Sequence, residues 1–550
     1  MEKRSPTYVP LFVFLFAWLF CNMLQAYFME LGYDEAYYWT VSRFPDWGYY
    51  DHPPMFALLT AAGFSLFHNE LGVRFFFVVT CTLLIYVLYR QTDRKDVTLF
   101  FMLIAGTTYF QIIGVGTLPS TPLLFFTALY FIVIREYIEH DNWKSIILLS
   151  FIIPLMFYSK YHAVLVILFT VLAAPSLLRR KSFWYIFLFS CILFSPHIYW
   201  QISHGFPTVR FHLQERYVDS YSAIVIPEFL AGQLLFAGPL MGFVTVPAML
   251  KFKTKTVFEH ILKLNVVGIF LFFLPFTLRG ETKPGWTATA FIPLILLSYA
   301  YIVERPLWRR WVKILFVPSI LIFLLLRIHI IHSIIPLRND PANLVRGWKS
   351  FTNEVAERAN GRPVLANTPE IASELSFYTG SVVPSLTGGS YGNQFDYWNL
   401  LDTLQGRDVF FLSNKNMGYA KTIVTPAGDT LFAKDIPHMR TYKKYTITSE
   451  HDTLTAHLSE KIPVALTINT ANKAADNLPQ VSYHIFRNDS LITWDGGRSL
   501  IMIDSMGNFT STISIQAPSK TGKYEVEILL VSEGFAWWKN SQRHILIVSN

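Results

Sequence analysis

Two adjacent acidic residues, Asp34 and Glu35, stand in the aromatic run G-Y-D-E-A-Y-Y-W, directly after a long apolar stretch. A carboxylate pressed against aromatic, partly desolvated surface acquires a raised pKa and serves as a general base. Two solvated loop carboxylates are the plainer reading of an arbitrary Asp-Glu pair. Seventeen residues after Asp34 begins D-H-P-P, residues 51–54. The Pro-Pro reads as a helix start, which leaves Asp51 and His52 at the N-terminal end of that helix, placed to hold a divalent cation or to meet a phosphate. Lys160, in Y-S-K-Y-H-A, is the one lysine, arginine or acid between 145 and 178. An ionisable residue at membrane depth is costly and faces a partnered cavity unless its side chain snorkels to the interface. Two more segments, R-G-E-T-K-P-G-W at 279–286 and H-G-F-P-T-V-R-F-H-L-Q-E-R at 204–216, add Arg279, Lys283, Arg210 and Arg216. Each alone would do as a headgroup anchor. Together, cations beside carboxylates suit an anionic, lipid-linked substrate.

The elements that must position these groups are membrane helices. The chain has 550 residues, 52% hydrophobic and 15% charged, against about a quarter charged in soluble proteins. Charges are sparse up to about residue 336 and ordinary beyond it. Apolar runs at 5–29, 75–89, 97–134 (two spans), 145–178 (two shorter spans), 182–201, 229–250, 257–278, 284–303 and 314–335 predict about eleven transmembrane helices. The first run lacks an A-x-A-like cleavage site and reads as a retained helix. Alternating the spans from a cytoplasmic N-terminus puts seventeen Lys and Arg in inner loops and six outside, satisfying the positive-inside rule. That places the C-terminal part outside. The net charge of +8 therefore reflects membrane orientation, and nucleic acid is not an expected partner. Cys21, Cys81 and Cys191 all lie in apolar runs, so neither a disulfide framework nor a zinc site is indicated.

The expected organisation is a transmembrane domain at 1–336 with a catalytic outer loop at 30–74, a small extracytoplasmic α/β unit at 337–440, and a β-sandwich at 441–550. The sandwich follows from short alternating strands separated by Gly, Asn and Asp turns. Its last segment, K-T-G-K-Y-E-V-E-I-L-L-V-S-E-G-F-A-W-W-K, resembles the end of the carbohydrate-binding sandwiches attached to polysaccharide exporters; a packing or spacer domain is the plain alternative.

G-Y-D-E-A-Y-Y-W followed by D-W-G-Y-Y-D-H-P-P-M resembles the first outer loop of the bacterial glycosyltransferase family 39 proteins. These belong to the glycosyltransferase-C superfamily, with the protein O-mannosyltransferases and the lipid A aminoarabinose transferase. The resemblance continues through Y-S-K-Y-H-A-V-L, W-Q-I-S-H-G-F-P-T-V-R-F, T-K-P-G-W, R-G-W-K at Arg346 and S-E-L-S-F-Y at Ser373, over roughly residues 30–415. It implies a membrane glycosyltransferase of glycosyltransferase-C fold that inverts the anomeric centre in one displacement. The donor would be a polyprenyl-phosphate sugar, the acceptor a lipid, glycan or protein, and the site the outer face of the cytoplasmic membrane. Asp34 matches the catalytic acidic position, with Glu35 beside it. Donor-phosphate contacts are expected from Lys160, His162, Arg210, Lys283 and His52, and a divalent metal of unstated identity from Asp51 and His52. Where many relatives carry an Asp between two prolines, this chain reads P-S-T-P with Ser120 and Thr121, so a second carboxylate is missing there. A polyprenyl phosphate is already a good leaving group; the enzyme need only neutralise its charge and supply one base, unlike a glycosidase with paired acid and base. A lipid-linked sugar transporter would show internal repeats, and none is evident. A non-catalytic glycan-binding membrane protein would have no need of Asp34.

Overall fold

The computed structural model describes residues 9–212, 224–279, 283–338, 340–386, 392–416, 421–442, 444–470, 478–487, 490–493, 496–503, 508–532 and 536–550. Arg216 and residues 280–282 of the basic segments, and parts of several sandwich loops, lie outside the described residues.

Among the described residues seven helices are long and apolar enough to cross a membrane: Val9–Phe28, Glu70–Gln91, Ser120–His140, Lys181–Ser203, Val257–Leu278, Gly285–Val303 and Pro306–His332. The four remaining expected spans are shorter or broken. Residues 97–113 divide into Val97–Gly106 and Thr108–Ile113, and residues 225–251 into Val225–Phe236 and Gly242–Lys251. Trp143–Ser159 and Ala163–Ala173 meet at Lys160. Polar side chains fix where helices begin. Asn69, Asp96, Asn142 and Thr256 each accept a hydrogen bond from a first-turn N–H, satisfying donors the helix leaves open. The helices surround a continuous apolar core, while the faces of Val9–Phe28, Lys181–Ser203 and Pro306–His332 turned outward carry exposed Phe, Leu and Ile. In water that surface would be untenable; it is the lipid-facing surface of a multi-pass membrane protein.

The segment between the first two long helices is ordered throughout. We label α1 (Val9–Phe28), α2 (Tyr33–Ser42), α3 (Met55–Leu66) and α4 (Glu70–Gln91). The α3 and α4 helices pack backbone to backbone at Gly63 and Gly72: a Cβ on Gly63 would lie 2.2 Å from the Gly72 carbonyl oxygen. Only glycine permits that approach, and it holds α3 down on the bundle.

After Asp340 a mixed sheet forms, ordered β1-β2-β4-β3, from β1 (Val364–Ala366), β2 (Val409–Ser413), β3 (Lys421–Val424) and β4 (Thr430–Ile436). The β1–β2 pair is parallel and the other two are antiparallel. Helices Trp348–Ala359 and Pro369–Thr379 pack on it around Phe351, Leu375 and Phe410. Beyond residue 445 two sheets face each other. One runs in the order Ser499–Leu500, Gln480–Arg487, Gly522–Ser532, Ala536–Ser549, Thr453–His457; the other in the order Met502–Ile503, Phe509–Gln516, Lys461–Asn469, Thr446–Ser449. Alternate residues such as Val464, Leu466, Ile513, Tyr483 and Ile528 fill the space between them, as period-2 patterning requires.

Candidate active site

Adjacent residues on a helix point about 100° apart, and α2 uses that angle to separate the Asp-Glu pair. Glu35 turns into the bundle. Both its carboxylate oxygens accept from the guanidinium of Arg74, through Nε at 2.8 Å and through Nη2. Glu35 also accepts from the backbone N–H of Thr117 at 2.9 Å and of Gly32 at 3.4 Å. Arg74 is wholly buried, and its other N–H groups bond the carbonyls of Ala26, Met29 and Glu30. Burial pushes the Glu35 carboxyl up, but the charge and hydrogen bonds of Arg74 hold it below the usual carboxylate range. This corrects the sequence expectation for Glu35: its lone pairs are spent, it does not reach the cavity described next, and its work is to lock α2 to α1 and α4.

Asp34 faces the other way, into a cavity of about 1400 Å³ where the helix bundle meets the α/β unit. Asp51, His52, Lys160, His162 and Lys283 line the same cavity, so the structure gathers all but two of the expected site residues. The second exception is Arg210, whose side chain is exposed and outside that lining. It ends a single helical turn, Pro207–Arg210, that instead sends Thr208 inward. Water reaches Asp34 through the cavity, yet protein encloses it on most sides. That enclosure raises its pKa from the ordinary 3.8 to about 6 against the opposing charge of Lys283, with Asp51, Glu35 and Glu370 adding to the rise.

Around Asp34 the aromatics of α2 act through their hydroxyls. Tyr37 donates to Asp51 Oδ1 at 3.2 Å, and the Tyr38 hydroxyl lies 3.3 Å from His52 Nε2. The Asp51 carboxylate is 3.7 Å from the same His52 nitrogen. Lys160 caps the Trp143–Ser159 helix in extended conformation, where the chain breaks before the next helix, and its Nζ donates to Ser120 Oγ at 3.1 Å. The P-S-T-P segment thus offers a hydroxyl to the lysine. His162 stacks on Phe273, ring centroids 5.6 Å apart. Among the described residues no third His, Cys, Asp or Glu joins Asp51 and His52 within ligand distance; the single three-residue grouping, Glu136, Glu139 and His140, is exposed and remote in sequence from all of them. Among the described residues Asp51 and His52 are thus a pair of candidate ligands, to which oxygen atoms of a bound phosphate could add.

Residues the sequence reading missed make up the remaining walls. Phe194, Ile198, Phe236, Phe272, Phe276 and Trp286 form an apolar side. Asn367, Thr368, Glu370, Asn393 and Asn414 form a polar roof contributed by the α/β unit. Tyr161 and His197, whose hydroxyl and Nε2 are 2.6 Å apart, add a buried polar cluster with Gln201 and Thr208. The roof residues carry no motif and lie more than three hundred positions from Asp34; only the topology brings them close.

Residues 51–200 match the model of the dolichyl-phosphate-mannose-protein mannosyltransferase family. The chain is similar in structure to ArnT from Cupriavidus metallidurans. The apo crystal structure of that protein aligns with a TM-score of 0.60 and 13% identity over 78% of this chain and 98% of the other. Its crystal structure bound to undecaprenyl phosphate aligns with a TM-score of 0.55, at the same identity and coverage. No curated protein sequence matches the chain. The matches bear out the resemblance carried by the motifs, and over 78% of this chain the fold is like that of ArnT.

Proposed function

We propose that the protein is an inverting glycosyltransferase that moves a sugar from a polyprenyl-phosphate donor to an acceptor on the outer face of the cytoplasmic membrane. One observation carries the reading: a single cavity holds a carboxylate of raised pKa, Asp34, opposite two lysines, Lys160 and Lys283, beside an apolar wall. The apolar wall suits a prenyl chain, and the lysines suit its phosphate. The binding of undecaprenyl phosphate by the structurally similar ArnT supports this choice of donor. In the reaction, the acceptor hydroxyl oxygen bonds to the anomeric carbon from the face opposite the phosphate, and its proton passes to Asp34. The anomeric carbon–oxygen bond breaks, its electron pair leaves with the phosphate, and Lys160 and Lys283 neutralise the charge that grows there. His52 and His162 border the same place. A divalent ion at Asp51 and His52, its shell completed by phosphate oxygens, would add further charge stabilisation. Glu35 and Arg74 hold the helix that aims Asp34. Residues 337–550 lie outside the cytoplasm in this reading, and the α/β unit closes the cavity from above.

The test is incubation of the purified, monodisperse protein with membrane lipid extracts, following which polyprenyl-phosphate sugar is consumed. Lys160→Met should weaken donor binding and slow consumption together. Normal donor affinity and normal turnover in Lys160→Met would remove the phosphate site from the proposal, and no consumption of any lipid-linked sugar by the wild type would remove the activity.

A further inference from the structure

The roof of the cavity is built where two parallel strands end. β1 and β2 run side by side with Ala366 opposite Leu412, and residues just beyond their carboxyl ends, Asn367 and Asn414, both reach the cavity. Carboxyl ends of parallel strands are where α/β units place ligands, because outgoing loops and the next helix N-terminus converge there. That helix, Pro369–Thr379, begins at once, capped by Thr368, with Glu370 in its first turn. The two asparagines clasp each other: Asn367 Nδ2 donates to Asn414 Oδ1 at 2.8 Å, and the Asn414 backbone N–H donates to Asn367 Oδ1 at 3.0 Å. The clasp fixes both carboxamides while leaving the Asn414 side chain exposed to the cavity.

The charges of the cavity are segregated. Its lysines and the histidines His52 and His162 belong to the helix bundle, whereas the roof offers carboxamides, a hydroxyl and one carboxylate. Among the described residues no Lys or Arg of the α/β unit lines it. A phosphate arriving from the roof side would meet Glu370 and no cation of its own. A ligand rich in hydroxyl groups, each both donor and acceptor, would find partners of both kinds there. Glu370 is also near enough to Asp34 for their charges to interact, so a ligand touching the roof lies within reach of the carboxylate.

We infer that the roof formed by Asn367, Asn414 and Glu370 is the acceptor subsite, and that it takes a neutral glycan, presenting one hydroxyl to Asp34. The word acceptor rests on the transfer reading above; the binding of neutral carbohydrate does not.

Saturation-transfer NMR on the purified full chain reads that binding without turnover, with undecaprenyl phosphate present to fill the donor side. The probes are mannobiose and N-acetylchitobiose as neutral ligands and mannose 6-phosphate as the anionic one. Both neutral disaccharides should give signal, and Asn367→Leu and Asn414→Leu should each weaken binding by roughly tenfold, the scale for losing one or two hydrogen bonds. Glu370→Gln alters an exposed side chain and removes the one charge of the roof; it should raise the binding of mannose 6-phosphate relative to that of the disaccharides. Stronger binding of mannose 6-phosphate than of the disaccharides by the wild type, or disaccharide binding indifferent to both Asn variants, overturns the inference. Carbohydrate binding as expected with no lipid-linked donor consumed would leave the roof standing and sink the transfer reading. Donor consumption with no effect of the roof variants would do the reverse.

Discussion

Asp34 should set the acid limb of the pH–rate profile. As a base it works only when ionised, and its pKa is raised by enclosure from 3.8 to about 6. At pH 5 a group of pKa 6 is ionised to roughly 9%, whereas one at the ordinary value would be ionised to roughly 94%. Activity should therefore rise about tenfold from pH 5 to pH 7 and level off above, and kcat/KM reports this limb for the free enzyme. A sugar phosphodiester does not titrate in the window, so the donor cannot mimic the effect. Neighbouring charges then move the limb in known directions. Lys283 holds the pKa down while Asp51 and Glu370 push it up. Lys283→Met should shift the limb to higher pH even as overall activity falls, Glu370→Gln should shift it to lower pH, and Asp34→Asn should erase it with a loss of about 10²–10⁴-fold in rate. The assay is transfer or donor consumption between pH 4.5 and 8.5 on folded, monodisperse variants. A limb near pH 4, or one that Lys283→Met leaves in place or moves downward, would refute Asp34 as the base.

Arg74→Met should destabilise the protein by about 3–5 kcal/mol, the scale for orphaning a buried charge, and adding Glu35→Gln should recover part of the loss; paired thermal melts of the two variants decide it. Glu374, on the helix Pro369–Thr379, is buried with no hydrogen-bond partner for either carboxylate oxygen among the described residues. Burial holds its pKa well above 4.5, so the folded protein keeps this proton to higher pH than the unfolded chain, which ionises above pH 4.5. Stability is then lost with rising pH at about 1.4 kcal/mol per unit up to the folded-state pKa. Glu374→Gln should melt higher than wild type by a margin that widens from pH 5 to pH 8, and a constant margin would contradict the argument. A cysteine replacing Ser459 should react with an impermeant thiol reagent in cells whose outer barrier alone is permeabilised; labelling only after inner-membrane lysis would reverse the topology.

The sequence made the membrane bundle and the position of Asp34 legible because both rest on local patterns: apolar runs of spanning length, and a carboxylate set among aromatics. It did not separate Asp34 from Glu35, since two neighbours in a motif look alike until a helix turns them apart. Arg74 carries no signal of its role in the sequence, because nothing in the flanking residues shows that Glu35 and three carbonyls converge on it. The eleven expected spans assumed continuous helices, whereas the stretches at 97–113 and 225–251 are divided. Lys160 stands out in the sequence for its isolation, but its hydroxyl partner, Ser120, is forty residues away and carries no sequence sign of the pairing. The roof was invisible for a simpler reason: asparagines after strand ends are common, and only tertiary contact gives these two a purpose.

Three side chains, Glu30, Tyr378 and Gln394, stitch the loop bearing Asp34 to the α/β unit by accepting from backbone N–H groups. Glu30 Oε2 accepts from Trp348 at 2.7 Å, Tyr378 Oη accepts from Leu31 at 2.9 Å, and Gln394 Oε1 accepts from Tyr50 at 2.7 Å. Backbone donors have no rotamers with which to find another partner, so each stitch must be kept or replaced like for like. The bundle and the α/β unit are therefore not interchangeable parts. A chimera that grafts another protein's α/β unit onto this bundle inherits the cavity only if it also brings a carboxamide for Tyr50, a phenol for Leu31 and an uncapped helix start for Glu30. The boundary for any such exchange lies in the seams between these side chains, not in the stretch of chain near residue 336.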